Sequence, residues 1–262
     1  QILFVFNLCI FGAIAGIGIF TAQYFGKGDN EGIRNTFRLK LYVTFTIVVV
    51  SFCLFLLYGD NLITAYLHSS TEMGNIDLDL VFSQAKTYLL IMMTGLIPFA
   101  ISQAYAGTLR EVEKPVIPMV SSLIAVFINL TFNYLLIYGK AGFPKLGVNG
   151  AAIATVLSRI VECVIIISVT HSKKSNNQFT KGLYKKLSVP FSTVKMVLPK
   201  AFPLLVNETF WALGTALLLN CYSLRGTSVV SAANICSTVT NIFIVSIIAF
   251  GDSIAIMVGG LL

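Results

Sequence analysis

Residues 117–138 read IPMVSSLIAVFINLTFNYLLIY, twenty-two residues without one Lys, Arg, Asp or Glu. As an α-helix, a run of this length rises about 33 Å at ~1.5 Å per residue, enough to cross the roughly 30 Å hydrocarbon core of a bilayer. As a membrane-barrel strand it fails, because such strands need only about ten residues and alternate strictly between apolar and polar. Six more runs of this kind flank it: about Ile2–Tyr24, Leu41–Tyr58, Tyr88–Leu109, Val148–Thr170, Met196–Tyr222 and Val229 to the end. The expected fold class is an all-α polytopic membrane protein with seven spans.

Composition agrees. Of 262 residues 56% are hydrophobic and 11% charged, and the mean hydropathy is +0.85. Soluble domains carry about 25% charged residues, so the chain has too little polar surface to solvate a globule of its size. Intrinsic disorder needs low hydrophobicity and is excluded. The net charge of +7 does not mark a nucleic-acid binder, whose basic residues cover a folded polar surface. Cys9, Cys53, Cys163, Cys221 and Cys236 lie in apolar runs without CxxC spacing and are expected to pack. The sequence opens at Gln1 and closes at Leu262 inside apolar runs, so it is expected to be a piece of a longer chain, cut within helices.

The basic residues give the spans a direction. Lys27, Arg34, Arg38, Lys40, Arg110, Lys114 and seven lysines between Lys173 and Lys200 fall on one side, 13 in all. The other side holds four: Lys86, Lys140, Lys145 and Arg225. By the positive-inside rule the richer side is cytoplasmic, so the first span runs from outside to inside. The Lys-rich connection is the longest and forms the expected boundary between two bundles. The division is residues 1–171 for the first bundle, 172–195 for a cytoplasmic linker and 196–262 for the start of a second. An echo supports two related halves: small residues near Ala22 in the first span recur near Gly259 in the seventh, an offset of 237, and both spans run the same way.

Few residues offer chemistry. Gly12 and Gly16 form a GxxxG pair suited to close helix packing. His68 and His171 do not form a metal-binding pair at helical spacing, no HExxH motif occurs, and no Ser–His constellation is legible. The sequons at Asn129 and Asn207 fall inside spans, beyond the reach of glycosylation. Neither an enzyme nor a bound cofactor or structural metal is expected.

Ionisable groups inside spans are sharper signals, since each costs at least about 2.5–3.5 kcal/mol at a helix centre. Arg159 and Glu162 stand three apart, so mutual neutralisation on one helix face is the expected structural role. Asp252, past the midpoint of the seventh span, is a candidate cavity-lining group, as are Gln23 and Arg159. Glu208 stands out, with no Lys or Arg within a turn and with Pro199 and Pro203 just before it. A lone intramembrane carboxylate must be protonated, hold a cation or meet water, and each state suits coupling to H+ or Na+. Asn129 and Asn133, four apart on one face, and Thr155 in the next span supply uncharged oxygens that can ligate Na+ or serve as interhelical glue.

Three stretches carry a family resemblance: Arg110-Glu111-Val112-Glu113-Lys114-Pro115; Ile128-Asn129 through Asn133-Tyr134 to Gly139; and Gly142-Phe143-Pro144 followed by Gly147 through Gly150-Ala151-Ala152-Ile153-Ala154-Thr155. Together they resemble the MATE (multidrug and toxic compound extrusion) family. Ala22-Gln23-Tyr24-Phe25-Gly26 resembles the family's second helix, and Pro203 through Asn207-Glu208-Thr209 its seventh. The resemblance implies a twelve-helix bundle of two pseudo-symmetric lobes, of which this chain holds helices two to eight. It implies a cation-coupled antiporter, driven by H+ or Na+, that exports small organic cations across the cell membrane by alternating access. Glu208 then resembles the acidic coupling residue of helix seven, and Asn129, Asn133 and Thr155 resemble polar positions of an N-lobe cation site. Some members carry Asp where Asn133 stands, so here that site lacks a charge. Neither a protein partner nor nucleic acid is implied. A lipid-linked oligosaccharide flippase or a narrow-substrate metabolite exporter of the same superfamily is the alternative; the flippase would need a basic cavity, for which Arg159 is the one clearly intramembrane cation in the sequence.

Overall fold

A computed structural model describes residues 2–68, 78–172, 177–184, 188–223 and 225–261. Among them the chain is helical and without strands: α1 (Ile2–Gly26), α2 (Asn30–His68), α3 (Leu78–Thr94), α4 (Leu96–Glu111), α5 (Val116–Tyr138), α6 (Gly147–His171), a 3-10 turn at Gln178–Thr180, α7 (Phe191–Ser223) and α8 (Thr227–Leu261). Seven segments are long and apolar enough to cross a membrane, α3 and α4 together supplying one of them, Leu80–Glu111.

That third span departs from the expected single helix. The chain breaks at Gly95, whose N–H turns back to Met92 O at 3.0 Å. Pro98 then falls in the first turn of α4, where a missing N–H costs no helical hydrogen bond. Gly95 faces α6 closely: a methyl carbon placed on it would sit 3.0 Å from Val156 Cγ2. The second span also differs, since α2 begins at Asn30, well before Leu41. Asp29 starts it, its carboxylate accepting from the Glu31 and Gly32 N–H groups at 2.9 Å. Those acceptors satisfy donors that a helix start leaves open.

The bundle is apolar outside as well as within. Val126, Phe127 and Leu130 of α5 are each more than 60% exposed, as are Ile247 and Phe250 of α8, which suits lipid rather than water as the surrounding solvent. Inside, α1 is the hub, packing on α2, α4, α7 and α8. Its Gly16 leaves no room for a side chain, since an added methyl carbon would meet Ala201 Cα of α7 at 2.8 Å. Ala22 and Gly259, the positions matched by the sequence echo, face each other across α1 and α8, with 3.2 Å between Ala22 Cβ and a methyl carbon placed on Gly259. Two small residues thus let α1 and α8 approach closely.

The connection after α6 is no free tether where it is described. Phe179 and Leu183 are buried in a cluster with Ile33, Phe37, Tyr105, Leu109 and Ile166. Arg34 donates to Lys181 O at 2.8 Å, and Arg38 donates to Leu183 O at 2.9 Å and Gly182 O at 3.3 Å. Residues 177–184 thus form a strap across the ends of α2, α4 and α6. Lys173, Lys174, Lys185 and Lys186, counted above for sidedness, lie outside the described residues.

Candidate functional site: polar groups around α1 and α5–α6

α7 carries its two prolines inside the helix and lays Glu208 against α1. A methyl carbon on Gly12 would touch Glu208 Cβ and Cγ at 3.0 Å and Leu205 Cα at 3.1 Å. The two helices are further joined by Cys9 Sγ and Thr209 Oγ1 at 3.3 Å and by the Phe4 and Trp211 rings, whose centroids are 6.2 Å apart. Glu208 is half-buried, and among the described residues its carboxylate has neither a hydrogen bond nor an ion pair. The GxxxG pair is what lets the stem of Glu208 lie flat on a neighbouring backbone.

A second polar group lies between α5 and α6. Asn129 donates to Thr155 Oγ1 at 3.3 Å and to Ser158 Oγ at 3.5 Å, while Asn133 donates to Asn129 Oδ1 at 2.9 Å. The structure brings the three sequence-selected residues together and adds Ser158, which lies one turn after Thr155 on the same face of α6. Asn133 Oδ1 is buried without a protein donor. A buried acceptor left open is a place for a proton donor or a cation.

Arg159 and Glu162 attract each other on their shared helix but form no direct ion pair among the described residues. The Arg159 guanidinium lies over the Phe99 ring, 4.6 Å from its centroid, and reaches Gly95 O at 3.5 Å. Glu162 Oε1 accepts from Ser122 Oγ of α5 at 2.7 Å. Each side chain thus also meets a group on another helix. Gln23 sits half-buried in the last turn of α1 and makes no side-chain hydrogen bond among the described residues. Asp252 belongs to α8, but its side chain lies outside the described residues.

The structure also shows a group that sequence reading missed. Lys40, counted above as a cytoplasmic loop residue, is fully buried and forms an ion pair with Glu111. Lys40 Nζ also donates to Thr108 Oγ1 at 3.2 Å. Glu111 Oε1 presses on the α1 backbone at Gly18, where no side chain fits. The pair joins α2, α4 and α1. Its partners stand 71 residues apart, so no local pattern announces it; the one signal was that both occur beside apolar runs.

Three cavities open around the C-terminal end of α4. One of about 210 Å³ lies between α1, α4, α7 and α8, bordered by Gly18, Gly107, Glu111 and Leu204. A second of about 570 Å³ is bordered by Glu113, Pro115 and the α8 residues Val245, Ile248 and Met257. A third of about 470 Å³ is bordered by Phe11, Gln103, Pro118 and Ser122. Arg110 lines all three, whereas Gln23 and Arg159 line none of these.

A family model described as MatE matches residues 1–135, just over half of the chain. The chain belongs to the MatE family. Relatives agree: a probable multidrug resistance protein NorM of Thermotoga maritima is 27% identical over 98% of this chain and 52% of its own length. A protein of the same name from Bacillus cereus is 34% identical over 52% of this chain and 31% of its own. The chain thus spans about half the length of these MatE-family relatives or less. A solved MATE structure in a bent conformation matches 98% of this chain and 54% of its own, with TM-score 0.72 at 18% identity. An inward-facing MATE transporter matches 84% of this chain and 47% of its own, with TM-score 0.67 at 19% identity. The seven apolar segments thus take the MatE-family membrane fold, part of its two-lobe bundle. The family consists of transporters, not enzymes.

Proposed function

We propose that the protein is a cation-coupled antiporter that exports small organic cations across the cell membrane by alternating access, with H+ or Na+ as the coupling ion. The observation that carries the reading is Glu208: a half-buried carboxylate without a protein partner among the described residues, seated where α7 meets α1 at Gly12. A coupling group must bind its ion differently in two states. A carboxylate on a proline-containing helix, held against a neighbouring bundle, changes its surroundings whenever the two bundles move. Residues 1–171 form the N-lobe in this reading, 172–195 the cytoplasmic linker and 196–262 the start of the C-lobe. Asn129, Asn133 and Thr155 form the N-lobe site, where the open Asn133 Oδ1 supports a proton or Na+ ligand. The relatives' names, multidrug resistance proteins, support export of small molecules.

The test is energised efflux of a cationic dye from cells making the full-length protein, with pH and Na+ gradients imposed separately. Wild type is expected to extrude the dye under one of the gradients, and Glu208→Gln to lose at least about tenfold of that rate while reaching the membrane in equal amount. Undiminished gradient-driven efflux by Glu208→Gln would overturn the assignment.

A further inference from the structure

Residues 163–207 hold seven Lys and neither Asp nor Glu. Part of this basic stretch is the strap, fixed by the Arg34 and Arg38 bonds to its carbonyls and by burial of Phe179 and Leu183. Lys181 and Tyr184 are left exposed on its outer side. The foot of α7 is built alike. Val197 is buried with Ile17, Phe20 and Leu39, and Val194 packs beside it, while Phe191, Lys195, Met196 and Lys200 are exposed. Adjacent residues of α2 join the two pieces, since Arg38 holds the strap and Leu39 packs with Val197. Lys200 Nζ lies over the Phe20 ring, 5.7 Å from its centroid. Among the described residues none of Lys181, Lys195 and Lys200 forms an ion pair. Of the acids on this side, Asp29 caps α2 and Glu111 is paired with Lys40, and Glu31 and Glu113 form no ion pair with these lysines.

Orientation in the bilayer requires only that positive charge collect on this side; it does not require the lysines to share their surface with apolar groups. Here Tyr184, Phe191 and Met196 stand exposed among them, Phe191 at 79%. A soluble polyanion would neutralise the lysines and leave these side chains in water. Lipid satisfies both, because an ammonium reaches the headgroup phosphate while its own stem and the aromatic rings lie along the acyl boundary. Basic residues clustered immediately cytoplasmic of a span attract anionic headgroups in this way. We infer that the outer side of the strap and the foot of α7 form one binding surface for anionic phospholipid of the cytoplasmic leaflet. Lys181, Lys195 and Lys200 donate to the phosphate oxygens, and Tyr184 and Phe191 rest against the chains. The inference does not depend on the exporter reading, since it concerns what the protein binds at its cytoplasmic rim and not what it transports.

The test is native mass spectrometry of the purified full-length protein with phosphatidylglycerol or phosphatidylcholine of identical acyl chains, which gives an apparent Kd for each. A lysine near an anionic surface contributes roughly fivefold, so wild type is expected to hold phosphatidylglycerol at least about tenfold more tightly than phosphatidylcholine. The triple variant Lys181→Gln, Lys195→Gln, Lys200→Gln is expected to lose most of that ratio at an unchanged melting temperature, since all three side chains are exposed. Lys140→Gln with Lys145→Gln, two exposed lysines of the opposite side, is expected to keep the ratio. Equal affinity of wild type for the two lipids, a triple variant that keeps the wild-type ratio, or an equal loss in the Lys140 and Lys145 variant would overturn the inference. Soluble glycerophosphate, which carries the headgroup phosphate without chains, is expected to leave phosphatidylglycerol binding unchanged even in large excess. Displacement by it would overturn the lipid assignment in favour of a soluble phosphate compound.

Discussion

Replacing Lys40 with methionine keeps the volume and removes the charge, leaving Glu111 as a buried carboxylate beside Gly18. Lys40 is 0% and the Glu111 side chain 7% exposed, so water does little to screen the pair. At a contact of about 3 Å and an effective dielectric of about 20, the attraction amounts to roughly 5 kcal/mol. Against it stands the desolvation of both ions, several kcal/mol each, which makes the pair close to neutral in stability while its rupture is costly. The expected outcome is a loss of about 3–5 kcal/mol for Lys40→Met or Glu111→Gln alone. For a helical protein of this size that corresponds to a fall in melting temperature on the order of 10 °C. The double variant, Lys40→Met with Glu111→Leu, leaves no unpaired charge and is expected to recover most of the loss. The assay is a thermal unfolding series of the detergent-solubilised full-length protein, arranged as a double-mutant cycle. A single variant that melts within about 2 °C of wild type, or a double variant whose loss equals the sum of the singles, would refute the claim that the two charges stabilise each other inside the bundle.

Further predictions concern the close approach of α1 to α7 and the strap. Gly16→Leu must push the α1 backbone away from Ala201 of α7, because even a first methyl carbon would lie 2.8 Å from Ala201 Cα; a melting-temperature fall of several degrees and at least a tenfold loss of dye efflux are expected, against a stability cost of about 1–3 kcal/mol for overpacking. Gly214→Ala on α7 is the control, since nothing lies within 4 Å of its added carbon, and a melting temperature unchanged or slightly raised is expected. Arg38→Ala removes the donor to Leu183 O and Gly182 O; limited trypsin digestion at Lys181 is expected to speed at least about tenfold, as loss of charge-assisted hydrogen bonds frees the strap, and an unchanged cleavage rate would show that Phe179 and Leu183 alone hold it.

The candidate site was legible to different depths. Glu208 could be selected from the sequence because an unpaired acid in an apolar run is conspicuous on its own. Asn129 and Asn133 were selected as oxygens on one face of a span and Thr155 as one in the next, and only the structure shows that they meet; Ser158 was missed because one more serine in a helix is unremarkable until a partner faces it. The spacing of Arg159 and Glu162 reported their proximity, and their charges do attract, but it could not report the added contacts with Phe99, Gly95 and Ser122 from other helices.

What the sequence determined by itself is the class of fold: crossing a bilayer demands a local property, some twenty apolar residues in a row, and that property can be counted without knowing what the helices touch. The break at Gly95 within the third span was not read from the sequence, where that span stood as a single run. Only the tertiary structure decided that Lys40 leaves the basic end of α2 to meet Glu111, that residues 177–184 lie under Arg34 and Arg38, and that Arg110 stands where three cavities join. Each of these depends on contacts between residues tens of positions apart, and the energy of a charge is set by its neighbours in space, which the order of residues along the chain does not contain.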